Sequence, residues 1–236
     1  MNISNNVLKH YLQNVYFITG TSYAGKSTAT GMLAERYGLL LCGENYHMAI
    51  SETVATPETH PDLCYNRSLT DWRDFVTRSP EEYERWIYAV GREAAEFEVA
   101  HLIAISQERK VIVDTNIPVD ILREISDYHH VAVMLSPQSM SVERFFDRAD
   151  PDKQFLLSVI DSCDDPAAVM ENYRAGLARI NSREHYNEYV NSGFFTVVRE
   201  DNGMDTREQV CEILARHFGL KEEHAERVYL SMQLHS

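Results

Sequence analysis

Between an apolar run, Val15-Tyr16-Phe17-Ile18-Thr19, and an amphipathic segment from Lys26 to Tyr37, the chain reads Gly20-Thr21-Ser22-Tyr23-Ala24-Gly25-Lys26-Ser27, a match to G-x-x-x-x-G-K-[ST]. A strand that merely turns into a helix needs neither two glycines nor a lysine followed by a hydroxyl. The glycines let the backbone wrap closely, so that consecutive N–H groups point inward around an anion. A helix starting at Lys26 adds the positive end of its dipole. Gly20, Thr21, Ser22, Tyr23, Ala24, Gly25, Lys26, Ser27 and Thr28 are therefore the candidate phosphate-binding residues. In this reading Lys26 reaches the β- and γ-phosphates of a nucleotide, Ser27 ligates Mg²⁺ and Thr28 contacts the α-phosphate.

The rest of the chain repeats the strand-then-helix pattern. Val15-Thr19, Leu39-Cys42, Val111-Asp114, Val131-Leu135 and Phe195-Val198 are apolar on both parities, as strands covered on both faces should be. Lys26 to Tyr37 puts Ala29, Leu33 and Tyr37 on one face and stops at Gly38. Ser79-Pro80-Glu81-Glu82 combines a capping box with proline at the first helical position, and opens a long helix with the stripe Tyr83, Ile87, Val90, Ala94, Phe97, His101. A short helix after Pro118 turns Leu122 and Ile125 inward. Asp165-Pro166 opens a long helical stretch towards Asn191, and Thr206 with Gln209 caps a last helix ending near Phe218-Gly219. This alternation implies right-handed crossovers and a doubly wound α/β sheet. The 236 residues read as one domain. Residues 43–78 form the least regular part, an insertion beside the site, and residues 220–236 a helical tail.

Composition removes several classes of partner. With 22 Lys+Arg against 36 Asp+Glu the net charge is −14, which argues against nucleic acid and anionic membrane, both of which need a basic face. No stretch nears the roughly 20 apolar residues of a membrane span, and the N-terminus reads as no signal peptide. Cys42, Cys64, Cys163 and Cys211 form no Cys-x-x-Cys pair, which suits a reducing, cytoplasmic setting. His60-x-x-x-Cys64 lacks a second pair, so no zinc site is expected. A homodimer is left open.

The loop, its helix and Leu39-Leu40-Leu41-Cys42-Gly43-Glu44-Asn45 resemble the start of the P-loop kinases of small molecules, the superfamily of nucleoside monophosphate, shikimate and gluconate kinases. The resemblance covers residues 15–218 in element order. It implies a three-layer P-loop NTPase fold with a five-stranded, mostly parallel sheet, a helical lid over residues 138–165 and an acceptor-side insertion. It also implies ATP and Mg²⁺ as cofactors and a small-molecule phosphoryl acceptor.

Further site residues follow from both sources. Val111-Ile112-Val113-Asp114 is an apolar strand ending in a carboxylate, like a Walker B element. Asp114 there holds a magnesium-bound water or orients the acceptor, or else caps the following turn. Arg144 and Arg148, four apart on one expected helix face, resemble lid arginines, whose guanidinium forks match the oxygens of a transferring phosphoryl group; a solvated face with ion pairs is the alternative. Glu44 is placed by the resemblance on the acceptor side, where it would orient or deprotonate a hydroxyl; Asp71-Trp72-Arg73 is a second acceptor candidate. Arg67, Arg73 and Arg78 hint at an anionic acceptor, and Asp201-Asn202 mark the turn that would pass the adenine. The function this implies is transfer of the γ-phosphoryl group of ATP to a hydroxyl or phosphate. A nucleotide-dependent ATPase or switch, and a sensing module without turnover, are the alternatives.

Overall fold

The computed structural model describes residues 3–147, 150–200 and 203–221. Its centre is a sheet of β1 (Val15–Gly20), β2 (Leu40–Cys42), β3 (Val111–Asp114), β4 (Val131–Leu135) and β5 (Phe195–Val198). The strand order is β2-β3-β1-β4-β5, and every pairing is parallel. All six residues of β1 are buried, as are all of β3 and β4. Such strands must be apolar on both parities, because helices cover both faces.

The helices, in chain order, are α1 (Asn5–Tyr11), α2 (Lys26–Tyr37), α3 (Met48–Val54), α4 (Pro61–Ser68), α5 (Arg73–Val76), α6 (Pro80–Ile105), α7 (Val119–Ile125), α8 (Gln138–Glu143), α9 (Pro151–Asp161), α10 (Pro166–Ile180), α11 (Arg183–Val190) and α12 (Arg207–His217). Tyr16 and Ile18 face α2 and α12, where they meet Leu33, Leu214 and Phe218. Val15 and Phe17 face the other way, onto Leu102 of α6 and Leu122 and Ile125 of α7. The alternation of β1 thus feeds two cores, one on each side of the sheet. A third core, away from the sheet, gathers Phe75, Tyr83, Trp86, Ile160, Tyr173 and Leu177 from α5, α6, α9 and α10.

Several boundaries follow local chemistry. Gly38 ends α2 in the left-handed region at φ 66°. The capping box at Ser79 and Glu82 is formed in both directions. Other expectations need correction. The stretch from Asp165 to Asn191 is two helices, broken at Asn181-Ser182. Ser182 is extended (φ −62°, ψ 162°) and accepts from the His185 amide, while the Asn181 side chain donates to the Leu177 carbonyl. Both residues offer the backbone an alternative to the helix. Thr206 stands at the N-cap of α12 without a side-chain cap bond, with a φ of −108° and ψ of 11° outside the extended region usual for a cap, and Asp205 accepts from the Arg207 amide instead. Residues 43–78 contain three short helices, α3 to α5. The stripe of α6 is wider than expected, since Trp86, Ala95, Glu98 and Leu102 are buried beside Tyr83, Ala94 and Phe97. A helix shared by the sheet and the third core has to bury more than one face.

Candidate active site

In this strand order the connection leaving β1 runs to one side, through α2 to β2, and the one leaving β4 runs to the other, towards β5. The crevice between β1 and β4 is therefore the topological switch point, where open α/β sheets hold their ligands. Residues 21–25 lie there, between β1 and α2. Gly20 has a φ of 130°, and a Cβ on it would stand 1.9 Å from the Met134 carbonyl oxygen, so only glycine lets β1 meet β4 at this point. Gly25, at φ 90°, then turns the chain into the first turn of α2.

The loop is braced from its surroundings. The Thr21 amide donates to the Met134 carbonyl at 3.0 Å. Thr21 Oγ1 accepts from the Ser136 amide (2.8 Å), and the hydroxyls of Ser136 and Ser141 donate to the Ser22 carbonyl (2.6 and 3.0 Å). Arg199, just past β5, donates to the Tyr23 carbonyl at 2.8 Å. Tyr23 is itself at φ 65°, a conformation that persists in a bulky residue only when its neighbours over-determine it. Ser136, Ser141 and Arg199 are the supports that sequence reasoning missed. Ser136 and Arg199 directly follow strands β4 and β5, and Ser141 lies in α8.

Lys26 bends back over the loop, its Nζ 3.3 Å from the Gly20 carbonyl oxygen and 3.2 Å from that of Thr21. Ser27 Oγ donates to Asp114 Oδ2 at 2.7 Å. Two residues 87 apart in sequence are thus in contact, with Asp114 buried at the end of β3. A hydroxyl beside a carboxylate is a hard-oxygen donor pair of the kind Mg²⁺ takes, with substrate oxygens and waters completing its shell. The described residues contain no group of three His, Cys, Asp or Glu that could hold a metal by itself.

Behind Asp114 stands Glu98, which the sequence reading missed. It is buried, and its Oε2 accepts from Thr115 Oγ1 at 2.6 Å. Burial, with Asp114 and Glu44 adding repulsion, pushes its carboxyl up to about 7 against the pull of hydrogen bonds from Thr115 and Tyr46. Thr115 in turn accepts from the Ile117 amide at 3.0 Å, which fixes the turn after β3.

Two cavities meet at the loop. The smaller, of about 450 Å³, is bounded by Ala24, Gly25 and Thr28 on the loop side and by Met32, Val197 and Val210 opposite. The larger, of about 1060 Å³, opens on the other side, from Gly20, Thr21 and Ser22 to α6 and α11. Glu44 lies on its wall and accepts from Asn116 Nδ2 at 3.0 Å. Arg144 lies on the wall of the smaller cavity. The helix expected to carry it ends at Glu143, so Arg144 stands in a turn, and Arg148 lies outside the described residues, as do Asp201 and Asn202.

The remaining acceptor candidates line neither cavity. Asp71 and Arg73 pair with each other in solvent, and Trp72 packs on Phe75 and Phe155. Arg67 donates to the carbonyls of Glu52 and Ala55. Arg78 is held in a cage of Phe75, Trp86, Tyr65 and Tyr83, where burial lowers its pKa. No protein-family model and no curated protein matches this chain. Among the described residues no helix is long and apolar enough to cross a membrane.

Proposed function

We propose that the chain is an ATP-dependent phosphotransferase of the P-loop small-molecule kinase type, with residues 20–28 as its phosphate-binding loop. The observation that carries this reading is the contact of Ser27 with Asp114 under a loop that separates two cavities. A binding module needs one pocket; a group transfer needs two that share a boundary, so that donor and acceptor are held in line. The loop amides and Lys26 hold the triphosphate, the smaller cavity takes the base, and Thr28 lies on its wall. When bound, magnesium neutralises charge on the phosphates and polarises the group to be transferred. Ser27 and Asp114 are the residues that would hold it.

The protein's own part is positioning and charge. Lys26 releases the carbonyls of Gly20 and Thr21 and turns to phosphate oxygens. Glu44, steadied by Asn116 on the wall of the larger cavity, orients the acceptor hydroxyl and takes its proton. Arg144, on the wall beside the loop, adds positive charge from the 138–165 segment, the lid of this reading. The test is a transfer assay with labelled ATP against pooled metabolites, nucleosides and nucleoside monophosphates. Lys26→Ala should lower the rate by about 100-fold or more with an unchanged melting curve, and a normal rate would remove Lys26 from the mechanism. Hydrolysis that no acceptor stimulates would favour an ATPase or switch, and tight binding without turnover a sensor.

A further inference from the structure

The larger cavity carries chemical information about its occupant. One wall is α11, where Glu184 and Glu188 stand four residues apart on the same face. Glu44 stands on the same cavity's lining, and Asp120 lines it as the partner of Arg92. Each of the two guanidinium groups on the wall has a hydrogen-bond partner. Arg92 donates to Asp120 at 2.8 Å, and Arg123 donates to the carbonyls of Ser192 and Asn191 at 2.8 and 3.4 Å. His185 lies between carboxylates, with Nε2 2.9 Å from Glu84 and Nδ1 3.5 Å from Glu188. The aromatic residues Tyr83, Tyr88, Phe145 and Tyr189 line the same cavity.

An anionic acceptor is bound by open guanidinium forks, and the described wall offers carboxylates instead. Carboxylates and aromatic faces both favour an ammonium group, the first by charge-assisted hydrogen bonds and the second through the ring quadrupole. We infer that the larger cavity takes a hydroxyl-bearing amine, of the amino alcohol or aminosugar class, with its ammonium groups on the Glu184–Glu188 face. This assignment rests on the phosphotransfer reading for what happens to the hydroxyl. There the acceptor oxygen bonds the γ-phosphorus, the bond from that phosphorus to the β–γ bridging oxygen breaks with its electron pair leaving on ADP, and the hydroxyl proton passes to Glu44.

The test is calorimetric titration of the full chain with kanamycin as the polyamine probe, maltotriose as the neutral probe and thymidine monophosphate as the anionic probe. Kanamycin should bind at least about tenfold more tightly than either of the others. Glu184→Gln with Glu188→Gln should remove that advantage. Glu108→Gln with Glu212→Gln changes the net charge equally at exposed sites away from the cavity, and should keep it. A preference for thymidine monophosphate, no saturable binding of kanamycin, or equal loss in both double variants overturns the assignment. Binding of ATP with magnesium, titrated in the same preparation, separates the two ideas. Its absence beside intact amine selectivity sinks the phosphotransfer reading alone, and its presence beside a preference for the phosphate probe sinks the acceptor class alone.

Discussion

Glu98 is a carboxyl group placed where water cannot reach it, and its hydrogen bonds from Thr115 and Tyr46 do not make up for that burial. Its pKa rises from 4.5 to about 7 on folding. Within that window the folded chain keeps a proton that the unfolded chain has released, so stability falls as pH rises, and the loss is complete above about pH 7. The penalty is on the order of 3 kcal/mol. Glu98→Gln keeps an acceptor for Thr115 and removes the charge. Urea unfolding at pH 5, 6 and 7.5 should show the variant gaining on the wild type as pH rises; parallel pH profiles would mean that Glu98 is ionised in the fold. The same residue explains a blind spot. It follows Phe97 in a helical stripe, where a glutamate reads as solvent-facing, and only the packing of α6 against the turn after β3 makes it buried.

At the level of elements, the joint of β1 with β4 depends on an absent side chain. Gly20→Ala drives a Cβ into the Met134 carbonyl, so it should cost several kcal/mol, roughly the range of severe core substitutions. Gly31→Ala, in the middle of α2 with no atom near a new Cβ, should instead gain about 0.5–1 kcal/mol. Denaturant midpoints of the two variants check both, and a Gly20→Ala protein as stable as the wild type would contradict the register of this joint. Strands β1, β3 and β4 were legible because burial on both faces leaves mostly apolar residues; the outer strands β2 and β5 read the same way but are not covered on both faces, with Leu41 and Val198 exposed, and β3, β4 and β5 match the expected bounds. The parting of α10 from α11 was not, although Asn181 and Ser182 are both residues that leave helices. A continuous helical period outweighed them, and tertiary packing decided otherwise. In the candidate site, the place of the loop between β1 and α2 was readable from residue types and spacing, and the contact of Ser27 with Asp114 agrees with that reading. The braces Ser136, Ser141 and Arg199 were not, because a single polar residue after a strand, or one serine in a short helix, carries no pattern of its own.

Across the whole molecule, a chain of net charge −14 keeps its candidate phosphate site at one edge of the sheet, where backbone amides and a helix start supply the positive field. The topology puts that loop at the switch point and a cavity on either side of it. Phosphoryl transfer at this place requires residues 20–28 to hold a triphosphate. Calorimetric titration of the full chain with a non-hydrolysable ATP analogue and magnesium measures this directly. Saturable one-to-one binding that needs magnesium, and that weakens by about 100-fold (~2.7 kcal/mol) in Lys26→Ala, is the predicted result. No saturable binding of any purine triphosphate, or equal affinity in the wild type and Lys26→Ala, would contradict it.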